Sequence, residues 1–133
     1  MIERTLFSSD HESFRDSVRK FVADKIVPFH AQWEKDGQLS REAWLQAGAQ
    51  GLLCPTVPEK YGGPGADFLY STVVVEELAR VGAMGPGFAL QSDIVAPYLV
   101  HYASEDLKTR WLPGMVSGDV ISAIAMTDRK ASA

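Results

Sequence analysis

Three histidines, one cysteine and the adjacent carboxylates Glu76 and Glu77 are side chains here with the chemistry of a metal site, a nucleophile or a general base. His11, His30 and His101 show no HxxH or HExxH spacing, so they read as surface or core histidines rather than zinc ligands. Cys54 has no cationic neighbour or helix start to lower its pKa, and reads as a small hydrophobe rather than a nucleophile. Glu76 and Glu77 are consecutive in a helical pattern, where neighbours project about 100° apart, so the two carboxylates do not converge on one proton. They read as a solvated face, with Glu77 and Arg80 paired at i, i+3. Gly62-Gly63-Pro64-Gly65 lacks the preceding strand and following Lys-Ser/Thr of a phosphate loop, and reads as a structural turn. No complete catalytic constellation is present.

These residues sit on a helical frame. Ser9-Asp10-His11-Glu12 has the capping-box form with Ser9 at the cap. Behind it Phe14, Val18, Phe21, Val22 and Ile26 predict a helix over about 10–27. Pro28 interrupts that helix, and a second, short one runs past Trp33 to Asp36-Gly37. Ser40 caps a third, ending at Gly51. Pro55, Pro58 and the glycines up to 65 make a long irregular loop. Asp67 caps a helix with Tyr70, Val73, Val74, Leu78 and Val81 inward. The run 88–102 is apolar enough to be buried on most sides, with a kink or split at Pro97. Ser104 caps a last helix through Leu112 and Met115 to Gly118. The three tryptophans fall on apolar stripes and are expected in the core.

Then the period changes. Val120 to Thr127 is short, apolar and β-branched, and predicts a strand. A lone strand has no backbone partner, so this pattern reads as the start of a second, β-type domain. The chain of 133 residues has one domain's length, an ordinary hydrophobic content of 46% and a net charge of −4. That charge argues against a nucleic-acid binder. No apolar run approaches the ~18 residues of a membrane span. The acidic, h-region-free N-terminus fits neither a secretory signal nor a transit peptide, so a cytoplasmic protein is expected, with a processed organelle protein as the alternative.

Taken in order, these segments resemble the N-terminal region of the acyl-CoA dehydrogenase family. The resemblance is carried by Phe14-Arg15 to Phe21, Pro28, Trp33, Gly37 and Gly51-Leu52. It continues through Pro58-Glu59-Lys60-Tyr61-Gly62-Gly63-Pro64-Gly65-Ala66-Asp67 and Glu76-Glu77-Leu78-Ala79-Arg80. It ends on Trp111-Leu112-Pro113-Gly114-Met115, Ser117-Gly118 and Ala123-Ile124-Ala125-Met126-Thr127. The opening residues and the run 85–95 look most like the long-chain branch. The resemblance spans about residues 3–127, roughly the first third of a family member.

It implies an all-α fold class: a five- or six-helix N-terminal domain over 1–118, the first strand of a truncated middle β-domain over 119–127, and a non-family tail over 128–133. It implies FAD as cofactor and oxidation of the Cα–Cβ bond of a fatty acyl-CoA, with electrons passed to an electron-transferring flavoprotein, in a homotetramer. Carried over by position, Ile124, Ala125, Met126 and Thr127 match the segment against the flavin, and Leu90 and Ile94 match the helix lining the acyl pocket. Plain core packing is the alternative for that last pair. Family members continue Thr-Glu-Pro-Gly-Ala-Gly-Ser-Asp; here Thr127 is followed by Asp128-Arg129-Lys130-Ala131-Ser132-Ala133. The catalytic Glu has no counterpart, so a fragment inactive alone is expected. The rival reading is a stand-alone helical module that binds a partner or an acyl chain without chemistry.

Overall fold

The computed structural model describes residues 4–125. Its elements are α1 (Ser9–Phe21), a π turn (Val22–Ile26), α2 (Val27–Asp36), α3 (Arg41–Ala49), a 3-10 turn (Glu59–Tyr61), α4 (Phe68–Arg80), a second π turn (Leu90–Val95), α5 (Ala96–Tyr102) and α6 (Glu105–Ser117). The all-α expectation holds, and the caps at Ser40, Asp67 and Ser104 each accept an amide of the helix they start. The α1 cap is Ser8 rather than Ser9. Ser8 Oγ accepts from the His11 amide, and His11 Nδ1 accepts from the Ser8 amide at 3.0 Å, so an imidazole takes the place expected of Glu12.

Both π turns stand just ahead of a proline. The Val27 amide reaches back five residues to the Val22 carbonyl, and the Ala96 amide to Gln91. Pro28 and Pro97 follow directly. A proline lacks the donor of its own turn and its ring crowds the carbonyl four residues back; widening the preceding turn removes the conflict. Pro28 therefore does not break the helix, which stays helical from Ser9 to Asp36 through the wide turn.

The core gathers Val18, Phe21, Val22 and Ile26 with Trp44 and Ala47 of α3, Val73, Val74 and Leu78 of α4, Phe88, and Leu112 and Met115 of α6. The irregular stretch after α3 enters this core, with Leu52, Leu53 and Cys54 at most 1% exposed. Buried loop backbone must be paired: the Cys54 amide donates to Ser92 Oγ at 2.9 Å and Gly65 to the Val57 carbonyl at 2.9 Å.

Several expectations are corrected. Residues 121–125 are irregular, and no strand occurs over 119–125; a strand needs a paired edge, and none lies beside this segment among the described residues. Met126 and Thr127 lie outside the described residues. The helical run after residue 88 is not buried on most sides: Ile94 is 41%, Tyr98 60% and Tyr102 80% exposed. Val81 is exposed and Tyr70 half-buried. Of the tryptophans only Trp44 is buried; Trp33 is half-buried and Trp111 exposed. An apolar residue can face outward where one face of its helix carries no neighbour, which periodicity does not reveal.

Candidate functional site

Acid–base and nucleophilic chemistry fail at each place the sequence offers them. Cys54 is fully buried and burial pushes its thiol up to about 12, a value at which no thiolate forms at neutral pH. It does carry a positive φ of 52°, the sole such non-glycine among the described residues. Native chain is therefore expected to resist thiol-directed reagents at neutral pH and to react once unfolded. Rapid stoichiometric labelling of the folded chain would contradict that.

His11 is buried; its Nδ1 accepts from Ser8, which leaves Nε2–H to donate to both Asp67 oxygens at 3.1 Å. It joins the start of α1 to the cap of α4 and is structural. His30 is half-buried on α2, with Nε2 lacking a hydrogen-bond partner among the described residues, and His101 is exposed on α5. No group of three or more His, Cys, Asp or Glu among the described residues is placed to hold a metal ion. The 62–65 turn spends its amides on the protein itself, on the Glu59, Pro58 and Val57 carbonyls, and so offers no phosphate cradle.

The carboxylate pair holds a surprise. Glu76 and Glu77 do diverge, but Glu77 does not face solvent; its side chain is 3% exposed. Arg19 clasps both its oxygens at 3.0 Å, Arg15 reaches it at 3.3 Å and Arg80 at 3.2 Å. Glu76 takes Arg4 at 2.6 Å and Arg15 at 2.8 Å. Burial pushes the Glu77 carboxyl up, but hydrogen bonds from Arg19 and Arg15 and the Arg19 and Arg80 charges outweigh it and hold the group below the ordinary carboxylate value. The Arg4 hydrogen bond, opposed by burial and aided by Arg15, does the same for Glu76. Groups with folded pKa values below their unfolded ones stabilise above the unfolded value, and that stability is lost as pH falls through the folded values. Urea midpoints should therefore fall on acidification below roughly pH 4.5, and less steeply in Glu77→Gln. An equal slope in that variant would contradict the assignment.

What remains is an apolar surface held by a polar interior at the second π turn. Leu90 and Ile94 on this turn are 37% and 41% exposed, so neither is buried in the core of the described residues. The turn's inner side carries Gln91, which is fully buried. Gln91 Nε2 donates to the Met115 carbonyl at 2.8 Å, and its Oε1 accepts the Ser122 amide at 2.8 Å and the Ser122 hydroxyl at 3.3 Å. One side chain thus ties the end of α6 and the terminal segment to the π turn. Between them runs a groove of about 270 Å³ lined by Leu99, Trp111, Met115 and residues 120–123. Gln91 is the residue sequence reasoning missed; Glu77 pairs with Arg80 as its spacing predicts, but is buried rather than solvated. The signal for Gln91 was a long polar side chain inside an apolar run.

Ile124 is half-buried and Ala125 exposed. Apolar side chains on an irregular stretch do not by themselves make a flavin site, and Met126 and Thr127 lie outside the described residues. Among the described residues no helix is long and apolar enough to cross a membrane.

The sequence profile described as "Acyl-CoA dehydrogenase, N-terminal domain" matches residues 8–119. The chain is 49% identical over 125 residues to the long-chain specific acyl-CoA dehydrogenase, mitochondrial, of Sus scrofa, covering 94% of this chain and 29% of that protein. Crystal structures show the same fold. An acyl-CoA dehydrogenase from Geobacillus kaustophilus superposes with a TM-score of 0.89 at 44% identity, covering 96% of this chain and 34% of that one. One from Bacillus anthracis, complexed with FAD, gives 0.77 at 28% identity, covering 89% and 20%. The chain thus spans less than a third of the curated relative's length, and over that span it belongs to the acyl-CoA dehydrogenase family as its N-terminal domain.

Proposed function

We propose that this chain is the helical N-terminal part, residues 1–118, of a long-chain acyl-CoA dehydrogenase, followed at 119–127 by the start of a middle β-domain. The parent reaction is FAD-dependent α,β-dehydrogenation of a fatty acyl-CoA, with an electron-transferring flavoprotein as electron acceptor and a homotetramer as the assembly. The carrying observation is the outward apolar pair Leu90 and Ile94, set on a π turn that also anchors Ser122. In this reading the pair meets the acyl chain, while Ile124, Ala125, Met126 and Thr127 lie against the flavin. The chain's own contribution is shape and water exclusion; base chemistry comes from residues it does not carry. The compartment is the matrix where the whole protein is mitochondrial, as the pig relative's name states, and the cytoplasm in a bacterium.

Purified chain supplied with FAD, fatty acyl-CoAs of increasing length and an artificial electron acceptor is expected to show turnover at background. Turnover above background overturns the assignment of catalysis to absent residues. A second reading, a binding module without chemistry, draws on the complete core and intact caps. Micromolar acyl-CoA binding without flavin would favour it.

A further inference from the structure

The second π turn faces α4 across a small, partly open space. Two polar atoms there, Ser71 Oγ on α4 and Asp93 Oδ1 on the turn, are buried without a hydrogen-bond partner among the described residues. Ser71 is 2% exposed. Burial pushes the Asp93 carboxyl up, and Ser71 is near enough to pull it partly back, yet no hydrogen bond of normal length joins the two. The space itself is about 10 Å³ and partly open; Ser71, Ser92 and Asp93 line it together with apolar residues of α4 and the loop before the turn. A cavity of roughly 10–15 Å³ holds one water when two to four polar groups face it. Ser92 also lines the space, but its Oγ already accepts the Cys54 amide at 2.9 Å, so Ser71 and Asp93 are the two polar groups left to pair. Polar atoms facing each other beyond hydrogen-bond reach are commonly joined by water.

We propose that Ser71 and Asp93 form a binding site for a single water that bridges α4 to the second π turn. The water donates to Asp93 Oδ1 and accepts from the Ser71 hydroxyl, so that both orphaned groups are paired. It holds the turn that carries Leu90 and Ile94 outward and Gln91 inward. The site stands on α4 and the turn alone, and does not depend on the enzymatic reading of the outer face.

A crystal structure of the 133-residue chain, at a resolution that shows ordered solvent, tests this. The expected result is one density peak within hydrogen-bond reach of both Ser71 Oγ and Asp93 Oδ1, and loss of that peak in Ser71→Val. Asp93→Leu serves in its place if that variant fails to fold. A direct Ser71–Asp93 hydrogen bond that closes the space, no peak between well-ordered side chains in the native chain, or a peak that persists in either variant would each overturn the proposal.

Discussion

Replacing Glu77 by alanine should lower the stability of the chain by about 3 kcal/mol. That is the lower end of the range for removing one partner of a buried ion pair, roughly 3–5 kcal/mol. The side chain is 3% exposed and holds Arg15, Arg19 and Arg80 at 3.0–3.3 Å. Without it the guanidinium of Arg15, only 11% exposed, keeps Glu76 and Glu12 as partners but loses its buried one. Arg19 and Arg80, 44% and 57% exposed, can turn to water, which is why the lower end applies. The loss falls on the α1–α4 contact, since both partner arginines 15 and 19 come from α1. Urea denaturation reads it as a lowered midpoint with an unchanged slope. A shift below ~1 kcal/mol, typical of a surface pair, would show that the cluster is solvated.

Gly118→Ala should cost roughly 2–5 kcal/mol, by two additive routes. The residue ends α6 with φ at +83°, where an L side chain costs about 1–2 kcal/mol. A Cβ there would also collide with the Trp44 carbonyl oxygen of α3, and overpacking adds about 1–3 kcal/mol. Backbone cannot yield as a flexible side chain does. Trp44 packs edge-on against Phe88 at 5.0 Å, so a displaced α3 disturbs the core ahead of the second π turn. Gly82→Ala separates the two routes: φ there is +71° with nothing within 4 Å of the new Cβ, so it should cost only the backbone share. Equal losses in the two variants would show that the close approach of α3 and α6 is not rigid.

How much of this was legible in the sequence depends on range. Ser40, Asp67 and Ser104 mark their helices because a cap is decided by the next three residues. The α1 cap slipped by one because His11, which can accept through Nδ1, takes the part usually given to Glu or Gln. Pro28 and Pro97 flagged local trouble correctly, but the remedy, a widened turn ahead of each, is a backbone adjustment that leaves no residue signature. Glu77 was read from Arg80 three residues on, whereas its burial comes from arginines about 60 residues earlier. For the candidate site, the spacing of Leu90 and Ile94 suits one side of a helix, but their exposure depends on what lies across from them. Gln91 gained its meaning only from Met115 and Ser122, 24 and 31 residues away. The strand expected over 120–127 has the right residue types, but its described part, 120–125, has no paired segment among the described residues, and pairing is a property of two segments.

The central claim, that these helices shape the acyl-chain side of a long-chain acyl-CoA dehydrogenase, is tested most directly by a hybrid. Residues 4–125 would replace the matching stretch of a full-length long-chain relative, and kcat/KM would be measured across fatty acyl-CoAs of increasing length. The account predicts a hybrid that retains FAD and dehydrogenates long acyl chains, with Leu90→Trp together with Ile94→Trp cutting kcat/KM for long chains by at least about tenfold, equivalent to ~1.4 kcal/mol. A folded, FAD-bound hybrid that shows no acyl-CoA turnover, or one whose chain-length profile ignores both substitutions, would contradict it.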